Sequence, residues 1–206
     1  MESDQTSSGP VSYGVNEEAV NSATHGLGVL VSIAGLIMLL LDAARTSSLW
    51  MLTSFSIYGA SLIVLFLSST LYHALAYPRV KSVLRAIDHS SIYILIAGTY
   101  TPFTLVSIRG NWGWSLFGTV WGLALGGILF AGFFREQFPG VETLTYVLMG
   151  WLSVMVIHRL FATIGLTGLI LLNWSELPYN HAIWHLFVLG GGTCHFLVVY
   201  FFVVPV

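Results

Sequence analysis

Charged residues are scarce in this sequence. Asp, Glu, Lys and Arg make up 8% of its 206 residues, whereas 56% of the residues are hydrophobic. Soluble domains carry about 25% charged residues, so the composition excludes an ordinary soluble enzyme and predicts a single-domain integral membrane protein. The seven basic residues are scattered along the chain, which argues against nucleic acid as a partner.

Cysteine and the features of a secretion signal are also lacking. Cys194 is the single cysteine and lies in an apolar run, so an intrachain disulfide is excluded. The first twenty residues are polar and acidic, without the basic start and early apolar core of a signal peptide. We therefore expect residues 1–20 to form an N-terminal cytoplasmic tail. Residues 21–206 would form the transmembrane domain, with its first hydrophobic helix retained.

Long apolar runs, by contrast, are abundant. A helix that crosses the hydrocarbon core of a membrane needs about 20 apolar residues. Such runs are too long and too evenly apolar for the strands of a membrane barrel. The sequence therefore predicts an all-α membrane protein, with spanning helices over residues 25–42, 49–75, 88–108, 112–133 and 180–204.

Residues 141–172 are harder to interpret. His158 and Arg159 divide this apolar stretch into two parts. The second part, of about thirteen residues, reaches only about 20 Å as a helix, against a hydrocarbon core of about 30 Å. Length alone leaves three alternatives open: one crossing, two crossings with a short second helix, or a re-entrant segment.

The basic residues predict the orientation. The connection after the second predicted helix carries Arg79, Lys81 and Arg85, and an excess of Lys and Arg marks the cytoplasmic side of a membrane protein. We therefore expect a multi-pass protein of the cell membrane with its N-terminus in the cytoplasm. Arg45 and Arg109 would then lie outside.

Several polar residues should gather at this cytoplasmic end. His181 and His185 are spaced i, i+4, which places two imidazoles about 6 Å apart on one helix face, a spacing suited to one shared metal. His73 offers a third nitrogen, and three protein ligands plus a water is the usual form of a catalytic zinc site. Asp88 would hold or deprotonate that water, and Ser69 would hydrogen-bond the water or a ligand ring. The same two histidines also suit an interfacial position in contact with water, so a metal is one of two open interpretations.

The remaining histidines favour structural roles. His25 is expected to cap or bond the acidic pair that precedes it, and His89 is expected to make a structural hydrogen bond. His158 is most simply interpreted as a residue of a connecting loop. His195 lies about 15 Å deeper than His185 along a helix axis, too far to join the same metal, so we expect it to be buried and hydrogen-bonded.

These residues lie in motifs that resemble the hemolysin III family, the bacterial branch of the progestin and adipoQ receptor superfamily. The matching segments follow the family's order over nearly the whole chain, which makes the resemblance more specific than any single pattern. They are EEAVNSATHGLG (17–28), SSTLYHAL (68–75), LRAIDHSSIYILIAGTYTPFTL (84–105), MGW (149–151) and HAIWHLFVLGGGTCHF (181–196).

The resemblance implies a seven-transmembrane-helix bundle with its N-terminus inside, its C-terminus outside and zinc bound near the cytoplasmic face. By the matching motifs, the zinc ligands would be His73, His181 and His185, and Asp88 and Ser69 would contact the zinc-bound water. Relatives include adiponectin receptors and, more distantly, alkaline ceramidases. The resemblance therefore implies a membrane lipid as substrate or ligand.

One departure from the family pattern concerns the sixth helix. The family usually has a longer segment there, whereas here GLTGLILLNWSELPYN (165–180) leads almost directly into the last helix. For His73 and His181 to meet, the chain must cross the membrane an even number of times between residues 88 and 180. We therefore predict that residues 141–172 cross twice, with a short or atypical sixth helix.

Three functions follow as hypotheses. The first is a zinc-dependent hydrolase of a lipid amide or ester, in which zinc and Asp88 activate water. The second is a membrane-state sensor or receptor in which zinc is structural. The third is a cytolytic, pore-forming protein, for which the sequence offers little because no spanning helix carries a repeated polar stripe.

Overall fold

The computed structural model describes residues 14–134, 140–154 and 178–204. Every secondary-structure element within these ranges is helical, as the composition predicts. The elements are α1 (Val15–Thr46), α2 (Leu49–Ala74), α3 (Pro78–Pro102), a π-helical segment (Phe103–Ile108), α4 (Gly110–Phe134), α5 (Val141–Val154) and α6 (Asn180–Phe202).

Five helical runs in the described ranges are long and apolar enough to cross a membrane, and they match the five spans predicted from hydropathy. Two of them begin earlier than the apolar pattern suggests. α1 starts at Val15 rather than at residue 25, and α3 starts at Pro78 rather than at residue 88. The first turns of both helices are polar and have sequences that favour the start of a helix. α1 has two acidic residues in its first turn, and α3 begins with proline.

The two ends of the bundle differ in composition. Arg79, Lys81 and Arg85 lie in the first turns of α3, at the end where α2 finishes. Exposed tryptophans lie at the opposite end, at the starts of α2 and α4. Tryptophan is enriched at membrane–water interfaces, so this end also has the character of an interface. The exposed tryptophans are Trp50, Trp112 and Trp114.

α2 is the central helix of the bundle. It packs along both α1 and α3, and its Phe55, Tyr58 and Phe66 side chains are almost fully buried. Close approach to α1 depends on glycine, because a Cβ added at Gly28 would meet the Phe66 ring. A second core cluster joins α3, α4 and α5.

α6 runs parallel to α1. Near its start, His185 lies against the backbone of Asn21, and farther along, Phe196 lies against Gly35. α6 therefore begins at the same end of the bundle as α1. This is also the end at which α2 finishes, since His181 contacts His73.

α5 runs beside α3 in the same direction. The Glu142 carboxylate lies 3.2 Å from His89 Nδ1, and Tyr100 donates a hydrogen bond of 2.8 Å to the carbonyl of Met149 farther along. The predicted second crossing within residues 141–172 falls largely on residues 155–177, outside the described residues. The seven-helix count, the short sixth helix and the role of His158 therefore stay predictions.

Candidate metal centre

Three histidines from two helices meet at one end of the bundle. His73 closes α2, and His181 and His185 occupy the first two turns of α6. One ring nitrogen from each lies within 4.8 Å of the other two. His73 and His185 are buried, with 4% and 2% of their surface exposed. The structure thus brings together the three side chains that the sequence singles out.

Glu18 of α1 orients His73. Its Oε2 lies 2.6 Å from His73 Nδ1, and its Oε1 accepts a hydrogen bond from Lys81 of α3. A carboxylate at Nδ1 fixes the proton there and leaves the Nε2 lone pair available to a ligand. Glu18 is therefore a contact of the histidine cluster to which sequence reasoning assigned no role.

α1 orients His185 in the same way. The Nδ1 atom of His185 lies 3.3 Å from the carbonyl oxygen of Asn21 and 3.2 Å from Thr24 Oγ1. The Thr24 hydroxyl already donates to a backbone carbonyl of its own helix. Both neighbours therefore accept from the ring, which places the proton on Nδ1 and leaves Nε2 as the nitrogen with a lone pair.

The donor set fits a zinc ion. His73 Nε2 and His181 Nε2 lie 3.2 Å apart. Two nitrogens on a tetrahedral zinc, each bonded at about 2.0–2.1 Å, are separated by about 3.3–3.4 Å. Neutral imidazole is a ligand that zinc favours, although copper and nickel accept it as well. The three histidines are therefore close enough to hold a metal ion, and their chemistry suits zinc.

His25 belongs to the cluster but not to the donor set. Its ring stacks on His185 with a centroid distance of 3.5 Å and an interplanar angle of 20°. Neither ring nitrogen has a hydrogen-bond partner among the described residues, and the same holds for both polar atoms of the Asn21 amide. The expectation that His25 caps or bonds the acidic pair is wrong, because neither of its ring nitrogens has a hydrogen-bond partner among the described residues, and Glu18 is engaged by His73 and Lys81.

Ser69 lies one helical turn before His73 on α2, and Asp88 lies on a turn of α3 that packs against α2. Ser69 is buried, and Asp88 is half-buried. Ser91 Oγ donates to the Asp88 carbonyl and lies 3.1 Å from Ser68 Oγ. The Asp88 turn of α3 is therefore packed against the α2 turn that carries Ser69 and leads to His73. The roles of Asp88 and Ser69 toward a bound water stay predictions.

The other two described histidines have the hydrogen bonds that we expect. His89 Nδ1 lies 3.2 Å from Glu142, and its backbone carbonyl accepts from Tyr146. His195 Nε2 lies 3.1 Å from the carbonyl oxygen of Thr99. Its ring packs between Tyr58 and Phe103, away from the three-histidine cluster.

Comparison with known proteins agrees with this architecture. A family model described as Haemolysin-III related matches residues 13–179. Hemolysin-3 of Bacillus cereus is 43% identical over 205 residues, covering 93% of this chain and 94% of that protein. The Hemolysin-3 homolog of Bacillus subtilis (strain 168) is 43% identical over 208 residues, covering 94% and 98%. Monocyte to macrophage differentiation factor of Homo sapiens is 28% identical over 203 residues, covering 89% and 83%.

The fold and the cluster together define a multi-pass helical membrane protein with a three-histidine centre at one end of its bundle. The chain belongs to the haemolysin-III-related family.

Proposed function

We propose that His73, His181 and His185 bind one zinc ion at the cytoplasmic end of the bundle. The observation that carries the proposal is the convergence of three ring nitrogens within 4.8 Å. Two of the three rings have their other nitrogen held by α1, the arrangement that protein zinc ligands usually show. The basic first turns of α3 support the cytoplasmic placement.

We further propose that the centre hydrolyses an amide or ester bond of a membrane lipid. Three protein ligands leave a fourth position open, which is the pattern of catalytic rather than structural zinc. When bound there, zinc supplies Lewis-acid polarisation of the carbonyl and lowers the pKa of a coordinated water to about 7.

The protein's own residues would supply the proton transfers and the orientation. Asp88 accepts a proton from the attacking water and returns it to the leaving amine or alcohol as the acyl bond breaks. Ser69 holds the water or a ligand ring by a hydrogen bond, and Glu18 holds the His73 ring in one tautomer. The lipid reaches the centre from the bilayer that surrounds the helices.

Metal analysis tests the zinc site. We expect about one equivalent of zinc in the purified wild-type protein and none in a His181→Ala, His185→Ala double variant, because three-ligand zinc sites do not survive the loss of two ligands. His195→Phe is the control, since it removes a histidine of the same helix that lies away from the cluster. Retention of zinc by the double variant would disprove the site.

Turnover tests the hydrolase. We expect zinc-loaded protein to cleave a ceramide-like lipid, and Asp88→Asn to slow the reaction by about 10²–10⁴-fold while zinc remains bound, as the loss of a general base predicts. Absence of turnover over a panel of lipid amides and esters, with zinc fully bound, contradicts the hydrolase and leaves the zinc site standing.

A membrane sensor with structural zinc is the second candidate. The contacts between helices favour this function. His181 contacts His73 and so joins α6 to α2, and His185 contacts Asn21 and Thr24 and so joins α6 to α1. A metal in this position would staple three helices and set the balance between two arrangements of the bundle. In this case His185→Ala lowers the thermal stability, and the wild-type protein shows no turnover.

A further inference from the structure

A second feature of the same end of the bundle is a cavity of about 770 Å³ between α1, the end of α2 and the start of α3. Ligand-binding cavities usually measure about 300–1,000 Å³. Glu18 and His73 lie on its inner side. Ala19 and Ala23 of α1 line it as well and are exposed at the bundle surface. The cavity is therefore open at the surface of the bundle.

Most of the cavity wall is apolar. A wall of this kind suits hydrocarbon better than a soluble ion, because burial of apolar surface is the favourable term. The apolar lining residues are Val15, Ala19, Ala23, Ala74, Ala76 and Pro78.

The charges in the cavity do not balance. Among the described residues that line it, Glu18 is the one carboxylate, and Lys81 and Arg85 are the two cations. Lys81 is paired with Glu18 and lies over the Tyr72 ring, 5.1 Å from its centroid. Arg85, four residues farther along α3, has no carboxylate partner among the described residues. Among these described residues, one positive charge is therefore left over beside the apolar wall of the cavity.

An amphiphile with a negative headgroup matches this combination. A guanidinium binds phosphate or carboxylate oxygens through paired hydrogen bonds. The adjoining apolar wall accepts the part of an acyl chain nearest the headgroup. Basic residues beside the ends of spanning helices also attract the anionic lipids of a leaflet.

We propose that this cavity binds an anionic lipid of the adjoining leaflet, with its headgroup on Arg85 and Lys81 and the start of its acyl chains along α1 and the end of α2. His73 lines both this cavity and the histidine cluster. The bound lipid therefore lies next to the metal centre. The proposal stands without the metal, since none of the contacts invoked involves it.

Equilibrium binding to the purified full-length protein in detergent tests the proposal. The probe is phosphatidylglycerol with a fluorophore at the end of one acyl chain, and phosphatidylcholine with the same chains is the reference lipid. We expect phosphatidylglycerol to bind about tenfold more tightly, and Arg85→Gln to remove most of this preference, as the loss of a charge-assisted hydrogen bond predicts. Arg85→Lys should keep more than half of it.

Arg79→Gln is the matched control for charge. Arg79 lies on the same helix end, is exposed and does not line the cavity. We expect it to change the affinity by less than about twofold, as surface charges usually do. Equal losses in Arg79→Gln and Arg85→Gln would show general attraction to a basic surface and overturn the proposal.

Two further experiments test the cavity: a substitution that fills it, and competition by inorganic phosphate. Ala23→Trp should weaken binding of phosphatidylglycerol by filling the chamber, whereas Leu30→Trp, at an exposed position of α1 outside it, should not. Excess inorganic phosphate should not displace the lipid. Displacement by phosphate, or equal affinities for the two lipids, would overturn the proposal.

Discussion

The carboxylate of Glu18 lies 2.6 Å from Nδ1 of His73, although the two residues are 55 positions apart in the chain. This contact turns the His73 ring so that Nε2 points to His181. The second carboxylate oxygen is bound by Lys81. One acidic side chain on α1 thus fixes the orientation of a histidine on α2 and is itself held by a cation on α3.

Glu18→Gln is expected to weaken zinc binding about 10–100-fold, as the loss of the hydrogen-bonding carboxylate behind a ligand histidine usually does. Competition with a chelating dye measures the affinity. Glu142→Gln is the matched control, because Glu142 also contacts a histidine, His89, outside the cluster. Equal affinities for wild type and Glu18→Gln would show that His73 does not need this partner.

His25→Phe should leave the zinc content unchanged. Phenylalanine keeps the ring stacked on His185, and the lost nitrogens have no partner among the described residues. Removing unpaired buried polar atoms is also expected to be neutral or to stabilise the fold by about 1 kcal/mol. Zinc analysis and thermal unfolding in detergent measure the two effects. A zinc-free His25→Phe protein would place His25 among the ligands.

Gly113→Ala should destabilise the bundle by about 1–3 kcal/mol, as overpacking usually does. A Cβ at this position would meet the carbonyl oxygen of Thr104 in the π-helical segment, and backbone cannot give way as a flexible side chain can. Gly118→Ala in the same helix is the control, because, beyond the adjoining residues of its own helix, no atom of the described residues lies within 4 Å of a Cβ there. Unfolding by denaturant compares the two, and equal stabilities would contradict the packing of α4 on that segment.

The orientation of the chain is tested by cysteine labelling in a Cys194→Ala background. Asn111→Cys and Tyr77→Cys place exposed thiols at the two opposite ends of the bundle. A membrane-impermeant maleimide should label Asn111→Cys on intact cells and Tyr77→Cys only after permeabilisation, because the basic residues after Tyr77 belong inside. The reverse pattern would place the histidine cluster on the outer face.

Hydropathy predicted the spanning helices well because each crossing must present an apolar surface over its full length. It misplaced the starts of α1 and α3 because a helix continues into the interface, where apolar residues are no longer required. Helical phase would have corrected α1: Glu18, Asn21 and His25 recur at three- and four-residue spacing, which is one face of a helix. The apolar pattern alone gives no sign of this face.

The candidate site, too, could be predicted from the sequence only in part. The i, i+4 spacing of His181 and His185 follows from local helix geometry and is legible in the sequence. Their approach to His73 depends on how many times the intervening chain crosses the membrane, which hydropathy of residues 141–172 did not decide. Glu18 was missed because its partners lie 55 and 63 positions away, and no local pattern encodes such distances.

The double use of Glu18 has a mechanical consequence. Its two oxygens bind α2 and α3 at once, so one charged side chain ties the ends of α1, α2 and α3 together. The contacts described for the start of α6 are imidazole contacts and hydrogen bonds. The start of α6 is attached to α1 and α2 by hydrogen bonds, among them one from the Tyr179 backbone N–H to Glu17, so displacement of its first two turns would separate His181 and His185 from His73.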